Sequence, residues 1–231
     1  MTNPVSIHSP EIRDMDLRVI QTTALTNDDL EKVHQLFDLS YRQANHPYLE
    51  KSFSKLRYIA LATMRKTLVG FALADTITAD LPRLVDPQIV MLAGICCVDS
   101  SCRRVGLFKK LEILAAGASG LLKQGRRVLM CGRMAHPVSF RTMRHFPSVI
   151  PKVGVPLSDW HKEMGLRVAE LYGSTLDPET FVVLGEGAPI GYPNIDCEVA
   201  EQEWLPFKIV NRDRGDALLG IFWVPDAPEG W

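Results

Sequence analysis

The sequence has few cysteines and no metal-binding pattern among them. Its 231 residues include five cysteines, an odd number, and none belongs to a C-x-x-C pair. A disulfide framework needs paired cysteines, and structural zinc sites usually draw on closely spaced pairs. We therefore expect free, buried thiols, and neither a disulfide framework nor a bound metal.

Long apolar runs and an excess of charge are missing as well. The longest apolar run, residues 90–98, is too short to cross a bilayer. The first twenty residues lack the charged start and apolar core of a secretion signal. The formal net charge is -1, which gives no general attraction to nucleic acid or to an anionic membrane. We expect a cytoplasmic, globular protein that binds neither.

The most informative stretch of the chain runs from residue 90 to residue 122. Residues 90–98 are apolar or small without alternation, which is typical of a strand covered on both faces. From Leu107 to Leu122, leucines and alanines recur at the three- and four-residue spacing of an amphipathic helix. The sequence therefore predicts a buried strand, a short loop and a helix that begins close to Gly106.

Such a helix start can hold an anion. The first helical turn has N–H groups without partners, and the helix dipole adds partial positive charge there. Gly106 lacks a Cβ and permits close approach. The nearby basic residues are Arg103, Arg104, Lys109 and Lys110. The same pattern fits, equally well, an ordinary strand–helix junction with solvated basic side chains.

The loop also resembles a known motif. Residues Val98 to Phe108 read VDSSCRRVGLF. This run resembles the acetyl-coenzyme A signature of the GCN5-related N-acetyltransferase superfamily, in which a strand ending in Val leads to Arg/Gln-x-x-Gly-x-Gly/Ala and then a helix. The spacing from Val98 through Arg103 to Gly106 fits without a gap. Phe108 departs from the signature, because Gly or Ala is usual there, and this bears on the geometry of pyrophosphate binding.

The predicted order of elements agrees with that resemblance, which covers about residues 17–146. Before the central strand we predict a strand, two helices and a hairpin; after the loop helix we predict a further strand and a short helix. The predicted strands are 17–23, the hairpin 58–64 with 68–77, and 127–131. The predicted helices are one capped by Thr26 that ends at His46-Pro47, one at 48–55 and one at 137–145. The resemblance implies an α/β fold in which helices flank a mixed central sheet.

The remaining residues are assigned around this core. We expect residues 1–16 to form an extended or disordered arm, and residues 147–231 to complete the sheet and add an extension that we cannot place. In that part the sequence predicts a helix capped by Ser158, strands at 181–184 and 217–224, and a hairpin joining 217–224 to 207–210.

The resemblance implies direct acyl transfer from acetyl-coenzyme A, or another acyl donor, to an amine. In the superfamily the central strand and the next parallel strand splay apart, and the pantetheine arm lies in the gap. The Cys96 N–H would then polarise the thioester carbonyl. The implied cofactor-binding residues are Cys96, Cys97, Val98, Arg103, Arg104, Val105, Gly106, Leu107, Phe108 and Lys109.

The proton-transfer groups of the superfamily have no obvious counterpart here. Many relatives carry a Glu early in the central strand as base and a Tyr in the helix after the fifth strand as acid. Residues 89–92 and 137–146 contain neither. His136 is our candidate acid, because histidine titrates near neutral pH; the alternative is a histidine that only orders its turn. An acyl-cysteine at Cys96 or Cys97 is disfavoured, because no neighbouring histidine would lower the thiol pKa.

Three functions remain open. The first is an N-acyltransferase acting on an unidentified small-molecule or protein amine, with Tyr41, His46 and Tyr48 in the region that walls the acceptor site of relatives. The second is a catalytically degenerate coenzyme A-binding or sensing protein. The third is a transferase for long acyl chains or for an acyl carrier protein, whose acidic surface would meet the basic loop. A homodimer through an exposed strand edge is also open.

Overall fold

The computed structural model describes residues 11–231. Most of the predicted arm, residues 1–10, lies outside the described residues. Residues Ile12–Asp14 form a 3-10 turn, and the first strand starts at Asp16, one residue earlier than predicted.

The chain alternates between helices and strands. The helices are α1 (Asn27–Ser40), α2 (His46–Lys55), α3 (Leu107–Gly117), α4 (Pro137–Phe140), α5 (Asp159–Leu171) and α6 (Glu201–Trp204). The strands are β1 (Asp16–Gln21), β2 (Tyr41–Arg42), β3 (Tyr58–Met64), β4 (Thr67–Ala79), β5 (Gln88–Val98), β6 (Val128–Met134), β7 (Leu176–Asp177), β8 (Val182–Val183), β9 (Tyr192–Pro193) and β10 (Ala217–Val224).

Eight of these strands form one mixed sheet in the order β1-β3-β4-β5-β6-β10-β8-β7. Its pairs are antiparallel except for β5 and β6, which are parallel. Helices cover both faces, so the predicted α/β class is confirmed and the sheet is the one that the resemblance implies. The last strand, β10, completes the sheet beside β6, as expected for residues 217–224. The short strands β2 and β9 pair separately.

Local signals place several element ends where they were predicted. The Thr26 hydroxyl accepts from the Asp29 N–H at 3.2 Å, and the Asp29 carboxylate accepts from the Thr26 N–H, which makes a reciprocal cap. Ser158 caps α5 in the same way through the His161 N–H. Arg65 and Lys66 adopt positive φ at the tight turn between β3 and β4.

The two faces of the sheet have separate cores. On one face, α3 lies on small residues of β3 and β4, and Gly70 leaves no room for a side chain: a Cβ there would lie 2.8 Å from Leu111 Cδ1. On the other face, larger side chains of the sheet pack against α1, α2 and α5, with Phe37, Met164 and Phe71 fully buried. The smaller residues of the first face bring α3 close to the sheet.

Some predicted bounds are wrong. The first helix ends at Ser40 instead of His46, because Tyr41 turns extended to pair with Pro193, while His46 opens α2. Helix α3 ends at Gly117, before Leu121 and Leu122.

The predicted hairpin between 207–210 and 217–224 is also wrong. Residues Leu205–Phe207 form a 3-10 turn, and β8 occupies the place beside β10. Pro206 lacks the N–H that a ladder needs, which disfavours a strand there.

Strands β5 and β6 pair along only part of their length. The parallel register covers Ile89–Leu92 against Val128–Cys131 and then stops. At the next residues β5 has a bulge, since Gly94 and Ile95 lie opposite the single residue Leu73 of β4. Beyond the bulge β5 continues to Val98 beside β4 alone. We call the opening between the two strands the strand gap.

Candidate active site

The strand gap is lined by backbone groups of β5. The Asp99 N–H donates to the Val69 carbonyl at 2.9 Å, and Val69 and Asp99 continue the register that pairs Phe71 with Cys97. Because antiparallel bonding alternates, the backbone of Cys97 bonds to β4, whereas the N–H groups of Cys96 and Val98 point away from β4. Two of the three β5 residues predicted to bind the donor thus present their amides to the gap. Cys97 does not.

The loop that follows β5 ends in a cluster of free amides. Arg104 (φ 68°) and Gly106 (φ 84°) both have left-handed backbones, and Gly106 is the N-cap of α3. Within residues 11–231, no backbone N–H of residues 104–109 donates to another group. The space above Gly106 is open, since a Cβ there would meet only Ile12 Cδ1, at 3.9 Å. This geometry suits a phosphate held by backbone N–H groups.

The basic residues of the loop have different roles. The Arg103 side chain donates from Nε to the Val98 carbonyl at 3.1 Å and from Nη1 to the Asn194 carbonyl at 2.8 Å, so it braces the loop from inside. Arg104 and Lys109 are exposed and form no ion pair with the part of the chain that the structure describes. They are the side chains with room to meet a phosphate.

A tyrosine marks the point where the two strands separate. Tyr172, just after α5, places its hydroxyl 2.9 Å from the Ala93 carbonyl oxygen of β5 and 3.0 Å from the Cys131 carbonyl oxygen of β6. Burial raises the pKa of Tyr172 well above its usual range. The side chain therefore keeps its proton and links the strands at the start of the gap.

The paired thiols point to opposite faces. Cys96 joins the core on the α3 face, whereas Cys97 joins the core on the α1 face. Burial raises the pKa of the Cys97 thiol to about 12 and that of Cys96 well above its usual value. Neither thiol is activated as a nucleophile, in agreement with the disfavoured acyl-cysteine.

His136 lies at the far end of β6 and acts as a cap. Its Nδ1 accepts from the Val138 N–H at 3.3 Å, and its ring stacks edge-on against Trp204 at 5.0 Å between centroids. Burial, with the nearby charges of Arg212 and Arg141, lowers its pKa. These contacts are those of a histidine that orders its turn. Its proposed role as an acid stays a prediction.

The residues predicted to wall the acceptor site lie near one another beside α1. The Tyr41 ring lies 4.8 Å from that of Phe37, and burial together with Cys97, Cys96 and Tyr48 raises its pKa. His46 is held by Asp38, with 2.6 Å between Nε2 and the carboxylate oxygen. These aromatic side chains are therefore packed and oriented on the α1 face.

Residues 189–197, for which the sequence makes no structural prediction, cover this wall; we call them the covering segment. Asn194 donates through its backbone to the Ser40 carbonyl at 2.8 Å, and Asn45 donates to the Pro189 carbonyl at 2.8 Å. Between the covering segment, α1 and the end of β5 lies a cleft of about 570 Å³, whose polar lining includes Arg42, Asp99 and Arg103.

One further residue, Glu112, was not predicted. It follows Phe108 by four positions on α3, so the two share one helix face. Burial raises the pKa of the Glu112 carboxyl to about 7. Its charge in turn raises the pKa of Cys96 and of Tyr172. The one sequence signal was a carboxylate within the apolar stripe of α3.

Two kinds of feature are absent from the described residues. They contain no group of three or more His, Cys, Asp or Glu side chains placed to hold a metal ion. No helix among them combines the length and apolar character needed to span a membrane.

Comparisons with known proteins are sparse at the sequence level. No family model and no curated protein matches the chain. Solved structures do match it. An aminoglycoside N-acetyltransferase, AAC(6')-Iy in complex with CoA, is 19% identical over 60% of this chain and 86% of its own, with a TM-score of 0.39.

Two further structures have comparable scores. Escherichia coli YhbS, a GNAT family N-acetyltransferase in complex with CoA, is 16% identical over 58% of this chain and 69% of its own, with a TM-score of 0.38. Arabidopsis thaliana NAA60 in complex with acetyl-CoA is 15% identical over 55% and 81%, with a TM-score of 0.37. At TM-scores below 0.5 these similarities add nothing to what the geometry of the chain itself indicates.

Proposed function

We propose that this chain is an N-acyltransferase that moves an acetyl or other acyl group from acyl-coenzyme A to an amine by direct attack on the thioester. The observation that carries the proposal is the alignment of two sets of free amides. Those of Cys96 and Val98 line the strand gap, and those of residues 104–109 surround the open space at Gly106. A pantetheine arm in the gap and a pyrophosphate at the loop would satisfy both sets.

The proposal gives these groups the following roles in the reaction. The Cys96 N–H would bond the thioester carbonyl oxygen and stabilise the negative charge that develops on it during attack. The acceptor amine would approach from the α1 face, where Tyr41 and Tyr48 form a packed wall beside the gap. Direct transfer is favoured over an acyl-cysteine because burial keeps both thiols protonated.

Thermal unfolding with coenzyme A and acetyl-coenzyme A tests the donor site. A ligand that binds only the folded chain stabilises it by about 2.7 kcal/mol at one hundred times its dissociation constant. We expect that stabilisation for the wild type and its loss in Gly106→Asp, because a carboxylate beside the free loop amides would repel the pyrophosphate.

Gly120→Asp is the matched control. Gly120 also has a positive φ, 74°, and open space around it, but it lies beyond the other end of α3. It should retain the wild-type shift. A wild type that no coenzyme A species stabilises, or a Gly106→Asp variant that keeps the full shift, would contradict the proposed site.

Turnover separates the proposal from the two alternatives. An acyltransferase should hydrolyse acyl-coenzyme A slowly without an acceptor and faster with a suitable amine, whereas a sensor should bind and release it unchanged. Preference for long acyl chains, or for acyl carrier protein as donor, would instead support the third function.

A further inference from the structure

Two basic side chains converge on the turn that follows α5. Arg133 of β6 donates from Nη1 to the Ser174 hydroxyl at 3.0 Å, and its guanidinium carbon lies 4.4 Å from the centre of the Tyr172 ring. Lys55, the last residue of α2, donates from Nζ to the carbonyl oxygens of Tyr172 and Gly173, at 3.0 Å each. Direct contacts thus tie both basic side chains to the same turn.

Contacts on both strands place these side chains at the start of the strand gap. The Tyr172 hydroxyl bonds β5 and β6 where their pairing stops. Leu56, the residue after Lys55, closes over the β5 bulge, since a Cβ at Gly94 would lie 2.3 Å from Leu56 Cδ1. Arg133 lies two residues beyond the last residue of β6 that pairs with β5, so its side chain leaves the face that α2 and α5 cover. The two basic groups therefore border the start of the gap on that face.

The reacting end of a bound donor would lie at this end of the gap. Under the proposed function the pyrophosphate binds at the loop amides beyond Val98, and the pantetheine arm runs from there back along β5. Its thioester then reaches Cys96, the residue directly after the bulge. An acceptor amine has to meet the thioester carbon there, so the groups attached to that amine come next to Arg133 and Lys55.

Arg133 has no carboxylate partner within residues 11–231. Its Nε is buried and makes no hydrogen bond there, and its Nη2 makes none either. The Nε and Nη2 groups of an arginine form one planar edge that matches the two oxygens of a carboxylate. Four other arginines of this chain bind a carboxylate through that edge, at distances between 2.6 and 2.9 Å: Arg57, Arg83, Arg141 and Arg214. The corresponding edge of Arg133 suits a carboxylate that the chain itself does not supply.

Lys55 adds a second positive charge without a partner of its own. Burial, together with the charge of Arg133, lowers the pKa of Lys55. Glu186, whose charge also acts on Lys55, forms its ion pair with Lys51 instead. Positive charge that the protein does not neutralise attracts a ligand with an acidic group and repels one with a further cationic group.

We propose that the acceptor is an amino acid, or another small amine that carries a carboxylate, and that Arg133 and Lys55 bind this carboxylate above the start of the strand gap. The inference rests on the proposed function, because it takes the thioester to lie at Cys96. It names the class of acceptor, and it predicts that amines with a second cationic group are poor acceptors.

The reaction with such an acceptor balances without a further co-reactant. The neutral amine nitrogen forms a bond to the carbonyl carbon, and the carbon–sulfur bond breaks with its electron pair on sulfur. The nitrogen loses one proton to solvent, and the thiolate of coenzyme A takes one from solvent. Neighbouring positive charges favour the neutral form of an amine, which is the form that attacks.

Matched pairs of acceptors test the proposed class. Acetyl transfer is measured with the common amino acids and with the amide of each, in which a carboxamide replaces the carboxylate. Measurements between pH 6 and pH 9 allow comparison at equal concentrations of neutral amine. For at least one amino acid we expect kcat/KM to exceed that of its amide by about 10- to 100-fold, because hydrogen bonds to a charged group are lost in the amide.

Substitution of the two basic residues tests the assignment. Arg133→Gln and Lys55→Gln should each raise the KM for the amino acid by about 10- to 100-fold and leave the KM for its amide nearly unchanged. Arg133→Lys keeps the charge without the planar edge and should lose less. Arg127→Gln is the control, because Arg127 is an exposed arginine directly before β6, and it should behave as the wild type. Thermal stabilisation by coenzyme A shows which variants fold and keep the donor site.

Three results would overturn the inference alone. They are an amide that serves as well as its amino acid, a wild type that acylates only amines without a carboxylate, and unchanged KM for the amino acid in Arg133→Gln. If Arg133→Gln does not fold, Lys55→Gln and the acceptor pairs decide in its place. A wild type that binds no coenzyme A species, or that binds one and acylates no amine, would overturn the proposed function, and the inference with it.

Discussion

The hydroxyl of Tyr172 lies between two carbonyl oxygens at the point where β5 and β6 separate. On the β5 side, Ala93 is the residue at which the ladder with β6 has just stopped. The Cys131 carbonyl is buried and that of Ala93 is partly buried, and a carbonyl left unpaired in such a place is costly. The single phenolic proton is shared between the two carbonyl oxygens. One side chain therefore links the strands where their pairing ends, and the gap begins beyond it.

Tyr172→Phe should therefore lower the free energy of unfolding by about 1–3 kcal/mol, since the buried Cys131 carbonyl and the partly buried Ala93 carbonyl both lose this donor. Urea unfolding measures the change. Tyr48→Phe is a suitable comparison, because within the described residues the Tyr48 hydroxyl makes no hydrogen bond, and its loss should change stability by much less. Equal effects from the two substitutions would show that the hydroxyl of Tyr172 does not link the strands.

At the scale of elements, the bulge in β5 sets where the gap begins. Two residues of β5, Gly94 and Ile95, lie opposite Leu73, which shifts the register of the strand before Cys96. Gly94 has no room for a side chain, because a Cβ there would lie 2.3 Å from Leu56 Cδ1 and 2.9 Å from Leu73 Cβ. Glycine at this position lets Leu56 close over the bulge.

We expect Gly94→Ala to destabilise the chain by about 1–3 kcal/mol, because an added methyl in a packed site forces its neighbours to move. Gly117→Ala is the matched substitution, since a Cβ at Gly117 would have nothing within 4 Å and the residue ends α3. That change should be neutral or stabilise by up to about 1 kcal/mol. Chemical denaturation of both variants gives the comparison. A Gly94→Ala variant as stable as the wild type would mean that the Leu56 side chain can move aside at no cost in free energy.

Elements with local signals were predicted well from the sequence. The caps at Thr26 and Ser158 depend on residues a few positions away, and the strand at 217–224 was predicted with its observed bounds. The loop from Val98 to Phe108 was found because its motif is contiguous. In each case the determining contacts lie within one stretch of chain, where periodicity and capping rules apply.

Elements that depend on distant partners were missed. Strands β2 and β9 have two residues each, and Tyr41 pairs with Pro193 across most of the chain, so neither has a pattern of its own. Tyr172 reaches Ala93 over 79 positions. The loop backbone of the proposed donor site was thus predictable from a contiguous motif, whereas contacts made by side chains from distant parts of the chain were not.

At the scale of the whole molecule, the C-terminal part is continuous with the sheet. Strand β10 lies between β6 and β8, and its Leu219, Ile221 and Trp223 are fully buried. Helix α5 covers the same face as α1 and α2, and it positions Tyr172 at the gap. The boundary predicted at residue 146 therefore falls inside a shared core.

A chain that ends at residue 146 tests that conclusion. It keeps the motif and the loop, but it exposes the β6 edge and the apolar face that α5 covers, and it loses the side chain that links the strands. We expect the full chain to unfold in one cooperative transition and the shortened chain to show none, with exposed apolar surface detectable by dye binding. The donor should stabilise only the full chain. Cooperative unfolding of the shortened chain, with a coenzyme A shift, would instead make residues 147–231 an addition to a self-sufficient core.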